Sequence, residues 1–133
     1  VRRLVPKVEA IQPAHPADRG AQFGPMIDGA AKRKTLEYIE IGKREGRLLV
    51  GGTEGPQNGF YVRPTVIADV GPTARIAQEE IFGPVLAILR VKDFQEGLEV
   101  ANNTEYGLTG AVFTDDPRHK ELARRRFHVG NFY

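Results

Sequence analysis

Glu79 and Glu80 stand side by side just ahead of an aromatic residue, in the run Gln78-Glu79-Glu80-Ile81-Phe82-Gly83-Pro84-Val85. The apolar run Val85–Val91 follows and predicts a buried strand. The acidic pair would then sit at the strand's mouth. A carboxylate in such a place can accept hydrogen bonds from two vicinal ribose hydroxyls, as an acidic residue does in dinucleotide folds. An aromatic ring two residues on could bound a flat ring such as nicotinamide. The spacing also allows a plainer reading, a solvated acidic pair and a core Phe at a strand start. Neighbouring strand residues point to opposite sides, so Glu79 is expected to face solvent and Glu80 to be the functional member.

Other residues offer less chemistry. The sequence has no cysteine, so it supplies no thiolate for nucleophilic attack, metal binding or disulfides. His15, His119 and His128 are scattered, without acidic or histidine partners at ligand spacing, which argues against a metal site. Arg124-Arg125-Arg126 reads as the solvated face of a helix. The net charge is only +2 and the basic excess forms no recognised motif, so no nucleic-acid partner is expected. No apolar run approaches the roughly 20 residues that span a bilayer, so no membrane partner is expected either.

The elements that must carry these residues alternate. Val1–Ile11 has helical spacing at Leu4, Val8 and Ile11, but Pro6 predicts a kink or an early stop. Gln12–Gly24 is a loop. Asp28 is the expected N-cap of a helix from Gly29 to about Arg44, with a Glu40–Arg44 pair on its surface and Gly46 as its stop. Arg47–Val50 predicts a short strand. Phe60–Val70 predicts an extended segment interrupted at Pro64, hence an edge or bent strand. Pro72–Gln78 suits a single helical turn. Asp93 and Glu96 resemble a capping box for a helix carrying Phe94, Gly97, Leu98 and Ala101. Leu108–Phe113 predicts a strand, and Asp116-Pro117 opens a helix that buries Leu122, Ala123 and Phe127. Val129–Tyr133 predicts a last strand. Strand, helix, strand, helix, strand implies an α/β fold with a mostly parallel sheet and flanking helices. At 133 residues, with no internal repeat, the chain reads as a single domain.

As an ordered set, several segments resemble the NAD(P)-dependent aldehyde dehydrogenases. They are Gly24-Pro25-Met26-Ile27-Asp28, the helix end Tyr38–Gly46, Gly59-Phe60-Tyr61-Val62-Arg63-Pro64-Thr65-Val66, the Glu79–Val85 run, Asn102–Leu108 and Ala111-Val112-Phe113-Thr114. Ala74–Glu80 and Phe127–Tyr133 look most like the glutamate-semialdehyde branch of that family. The resemblance implies a partial domain, residues 1–133, from the C-terminal half of the family's catalytic domain. In the family the nucleophilic Cys, the general-base Glu and the dinucleotide-binding domain lie upstream of the matched part. An anchor for the substrate carboxylate lies downstream. The chain is therefore expected to be a fragment that is inactive by itself.

For the intact enzyme the resemblance implies oxidation of L-glutamate 5-semialdehyde, in equilibrium with 1-pyrroline-5-carboxylate, to glutamate in proline catabolism. It implies NAD as cofactor, with NADP left open, a small-molecule aldehyde substrate and a homo-oligomer. It implies the cytoplasm in a bacterium or the mitochondrial matrix in a eukaryote. Carried over by position, Glu80 would hold the nicotinamide-side ribose and Phe82 would pack beside the nicotinamide. Lys34 matches a position near the adenosine ribose in some relatives; an exposed helix Lys is the ordinary alternative. A reading of a different class remains, a folded non-catalytic structural or interaction module with large exposed apolar faces.

Overall fold

Pro6 lies in the first turn of a short helix, α1 (Val5–Glu9), in the computed structural model, which describes residues 1–133. A first-turn proline forfeits no intrahelical bond, so Pro6 starts this helix rather than breaking a longer one. The chain forms two compact units, Val1–Leu89 and Arg90–Tyr133.

In the first unit, α2 (Gly29–Glu45) starts where expected. Asp28 is extended and its carboxylate accepts the Ala31 N–H at 2.7 Å. The helix ends at Gly46, which is extended rather than left-handed. Glu40 pairs with Lys43 at 2.5 Å, one position short of the expected Arg44. Next come β1 (Arg47–Val50), β2 (Thr65–Ala68), α3 (Arg75–Gln78) and β3 (Val85–Ala87).

The sheet order is β1-β2-β3; β1 runs antiparallel to β2, and β3 parallel to it. β2 is the central strand and all four of its residues are buried, which overturns the edge alternative of the expected edge or bent strand. Pro64 lies just before it, and the ladder's donors begin at Thr65, whose N–H reaches the Pro84 carbonyl at 2.8 Å. The missing proline N–H therefore costs the sheet nothing. The expected buried strand Val85–Val91 shrinks to Val85–Ala87 and lies at the edge, with Leu86 47% exposed. Only β2 pairs with it, so its outer side stays open.

The core joins Ile41, Ile67, Val70 and Ile76, with Tyr38, Ile81 and Val85 packed around it. Fully burying an isoleucine contributes roughly 1.5–3 kcal/mol. Gly42 makes the close packing possible: a Cβ there would lie 2.4 Å from Ile67 Cδ1 and 3.0 Å from Ile76 Cδ1.

The second unit holds α4 (Phe94–Asn102), β4 (Thr109–Gly110), α5 (Pro117–Arg126) and β5 (Asn131–Phe132). Asp93 caps the Glu96 N–H at 2.8 Å. The Glu96 carboxylate reaches past Asp93 to the Lys92 N–H, at 2.6 Å. Asp116 caps α5 through the Arg118 N–H, with Pro117 at the helix start as expected. Ala123 is fully buried. The Asn102 amide ties α4 to the end of α5: it donates to the Arg126 carbonyl at 2.6 Å and accepts from the His128 N–H at 2.9 Å.

β4 and β5 pair in parallel around α5, as a strand-helix-strand unit requires. The predicted strand Leu108–Phe113 is reduced to Thr109–Gly110 because its ends lack cover; Leu108 is 79% and Phe113 97% exposed. Two of the three strand pairings are parallel, and the fold is α/β. No helix is long and apolar enough to cross a membrane.

Candidate functional site

α3 has no capping side chain of its own at Ala74. Glu45, in the last turn of α2, replaces it. Its carboxylate accepts the Arg75 N–H at 3.0 Å and the Ile76 N–H at 3.1 Å, satisfying two of the amides that a helix start leaves unpaired. One turn on, Arg75 grips Glu79 with two parallel bonds, Nε at 3.0 Å and Nη2 at 2.9 Å. The Tyr38 hydroxyl donates to the same carboxylate. The Arg75 guanidinium and the Lys34 ammonium lie 5.4 and 5.6 Å from the Tyr38 ring centroid, within cation–π range. Arg75, and secondarily Tyr38, hold the Glu79 carboxyl down to about 2. The same hydrogen bond to Glu79 raises the Tyr38 phenol, and Glu79 raises the Arg75 guanidinium. Glu79, expected only to face solvent, is thus the hub of a charged network.

Glu80 and Lys34 come together, but through the backbone: Lys34 Nζ donates to the Glu80 carbonyl at 2.7 Å. Two residues on, Phe82 has φ 56°. That left-handed conformation is uncommon for a bulky residue and costs roughly 1–3 kcal/mol. The turn faces Ile81 inward to the core and leaves Phe82 81% exposed. Phe82 is therefore not the core residue that the plainer reading of the spacing required. Gly83 then passes against α2, where a Cβ would sit 2.5 Å from Oγ1 of the fully buried Thr35. Thr35 is itself fixed by donating to the Ala31 carbonyl at 2.9 Å.

The sequence reading missed Tyr38, Glu45, Arg75 and Thr35. Lys34, Tyr38 and Glu45 lie on one stripe of α2, a signal open to inspection beforehand. The other candidates lie elsewhere. His119 stacks on Phe94, centroids 4.2 Å apart. Arg124 and Arg125 pair with Glu121 and hold its carboxyl down to about 2. No group of three or more His, Asp or Glu side chains is placed to hold a metal.

Residues 1–133 match the sequence pattern of the aldehyde dehydrogenase family. The chain is 53% identical, over its whole length, to a 1-pyrroline-5-carboxylate dehydrogenase of Geobacillus sp. (strain WCH70) and covers 26% of that protein. It is 51% identical to 1-pyrroline-5-carboxylate dehydrogenase 2 of Bacillus subtilis (strain 168), with the same coverage. The chain thus spans about a quarter of the length of these relatives. Among solved structures, 1-pyrroline-5-carboxylate dehydrogenase from Thermus with bound NAD superposes with a TM-score of 0.95 at 52% identity, over 99% of this chain and 25% of that one. Sequence match and superposition agree along the chain: it belongs to the aldehyde dehydrogenase family.

Proposed function

We propose that this chain is the part of an NAD(P)-dependent aldehyde dehydrogenase that orients the nicotinamide end of the cofactor. In the intact enzyme the reaction is oxidation of L-glutamate 5-semialdehyde, from 1-pyrroline-5-carboxylate, to glutamate in proline catabolism. The observation that carries the substrate class is identity above 50%, along the whole chain, to dehydrogenases named for that substrate. The relatives are bacterial, which favours the cytoplasm. Residues 1–133 are read as one partial catalytic domain.

The local residues fit a dinucleotide. Phe82 offers an exposed flat ring on a fixed backbone, and the Glu80 carboxylate belongs to the same turn. Glu80 would accept hydrogen bonds from ribose hydroxyls, and Phe82 would pack against the nicotinamide. Lys34 spends one donor on the Glu80 carbonyl, and an ammonium has three, so donors remain for cofactor oxygens. NAD is the cofactor proposed, with NADP compatible with these contacts. When bound, the cofactor supplies the hydride acceptor. The residues present bind and orient, which is a positioning contribution. With no cysteine, they provide no nucleophile for attack on the aldehyde.

The test is turnover by the full-length protein with glutamate semialdehyde set against simple aliphatic aldehydes, each with NAD and with NADP. Preference for an unrelated aldehyde would overturn the substrate reading.

A second reading, a folded interaction module, is favoured by the apolar surface of residues 90–133. Leu108, Phe113 and Tyr133 are 79%, 97% and 75% exposed. A cleft of about 440 Å³ opens among Val112, Pro117, Phe132 and Tyr133, beside the charged Lys120, Glu121 and Arg124. Calorimetry of the full-length protein with NAD, with and without Glu80→Gln, separates the two: binding weakened by the substitution favours the first reading, and binding unchanged by it the second.

A further inference from the structure

One stripe of α2 grips the segment from Arg75 to Glu80 at successive points. Residues at i, i+4, i+7 and i+11 share a helix face, and Lys34, Tyr38, Ile41 and Glu45 have that spacing. Glu45 holds the Arg75 and Ile76 amides. Ile41 packs with Ile76 in the core. Tyr38 holds Glu79, and Lys34 holds the Glu80 carbonyl. Read from Glu45 back to Lys34, the stripe meets the segment in forward order. Next in line stands Phe82 with its left-handed backbone, and then Gly83 pressed against Thr35. A strained conformation of a bulky residue persists only where its surroundings over-determine it. Here α2 holds the chain on both sides of it, at the Glu80 carbonyl and at Gly83.

Glu79 is the joint of this arrangement. An exposed ion pair alone contributes little. A two-pronged guanidinium contact plus a third donor does more: it fixes the plane of the carboxylate. With the side chain fixed, the peptide that Glu79 shares with Glu80 is held from one side, while Lys34 holds the next carbonyl.

We propose that Arg75, Glu79 and Tyr38 form a positioning clamp that sets the directions of Glu80 and Phe82, and so the alignment of the nicotinamide for hydride transfer. This rests on the reading of Glu80 and Phe82 as cofactor residues. Glu79 is a positioning residue: its carboxylate is taken up by Arg75 and Tyr38, and it acts through its neighbours.

The test is a double-mutant cycle in the full-length protein with Glu79→Gln, Glu80→Gln and both together. Its readouts are pre-steady-state hydride transfer, NAD affinity and the thermal midpoint. Glu79→Gln is expected to slow hydride transfer roughly fivefold with little change in midpoint. The double variant is expected to be much less impaired than the product of the two single effects, because both act on one alignment. If Glu79→Gln transfers hydride normally while Glu80→Gln is slow, the clamp is overturned and the cofactor reading stands. Effects that simply multiply would also overturn it, since Glu79 would then act independently of Glu80. If Glu80→Gln is itself normal, the cofactor reading falls and the clamp falls with it. Tyr38→Phe, which removes one hydroxyl, repeats the cycle should Glu79→Gln fail to fold.

Discussion

Lys34 and Glu80 lie 46 positions apart in sequence and meet through a 2.7 Å hydrogen bond from ammonium to carbonyl. The contact falls on the backbone of Glu80. It fixes the peptide that carries the carboxylate, and this makes the Glu80 side chain the informative one to change.

Replacing Glu80 with Gln in the full-length protein should mainly slow hydride transfer. Loss of one charged acceptor is worth roughly 1.5–3 kcal/mol, or about tenfold to a hundredfold in rate if felt only in the transition state. Rapid-mixing measurement of cofactor reduction checks this. Unchanged transfer would make Glu80 an ordinary surface carboxylate.

Gly83→Ala should destabilise the fold by about 1–3 kcal/mol, the usual cost of overpacking. The new Cβ would meet Oγ1 of buried Thr35 at 2.5 Å. Pairing it with Thr35→Ala should recover part of the loss, since the two sites share one contact. Denaturant midpoints of the three variants decide it, and equal losses with and without Thr35 would refute the steric account.

Acid should loosen the 75–82 segment late. The Glu79 carboxyl is depressed from an ordinary 4.5 to about 2. A depressed carboxyl binds its proton more tightly in the unfolded chain. Its contribution is therefore fully present above about 4.5 and is lost as pH falls through about 2. Tyr38→Phe should move this titration upward. NMR titration of the Glu79 side chain is the check, and a midpoint at the ordinary value would show that the clamp is open in solution.

The chain by itself should oxidise no aldehyde, because it has no thiol to form the covalent intermediate. Turnover by the pure chain would refute this. It should also self-associate. β3 is paired on one side only, with Leu86 47% exposed, and an open strand edge is a template for another strand. A symmetric dimer is the expected product, since closed two-fold assemblies are the commonest. Sedimentation over a range of concentrations would reveal a strict monomer if the edge is not used.

Local rules read well in this sequence. Asp28, Asp93 and Asp116 cap their helices because capping is decided within about three residues. Arg47–Val50 is the strand expected, and Pro72–Gln78 contains the expected single turn. The errors lie where a distant neighbour decides. An apolar run such as Val85–Val91 does not reveal whether a second strand covers it, and Pro64 does not reveal on which side of it the ladder begins. The candidate site was legible only in part. Glu80, Phe82 and Lys34 came from a short motif and a resemblance. The ties from Glu45 and Tyr38 depend on α2 lying along residues 75–82, which spacing along the chain does not encode. The left-handed backbone at Phe82 was hidden altogether, because phenylalanine is not a residue that advertises it.

On the cofactor reading proposed above, that backbone sets two selective demands against each other at one position. Selection for stability alone would replace Phe82 with glycine or asparagine, which adopt its φ of 56° at little cost. A redesign scored only on fold energy would make the same exchange early and would erase the one ring that the turn holds out at 81% exposure. Protein engineers seeking a hardier version of this chain should therefore exempt Phe82 from optimisation and look for their gains elsewhere.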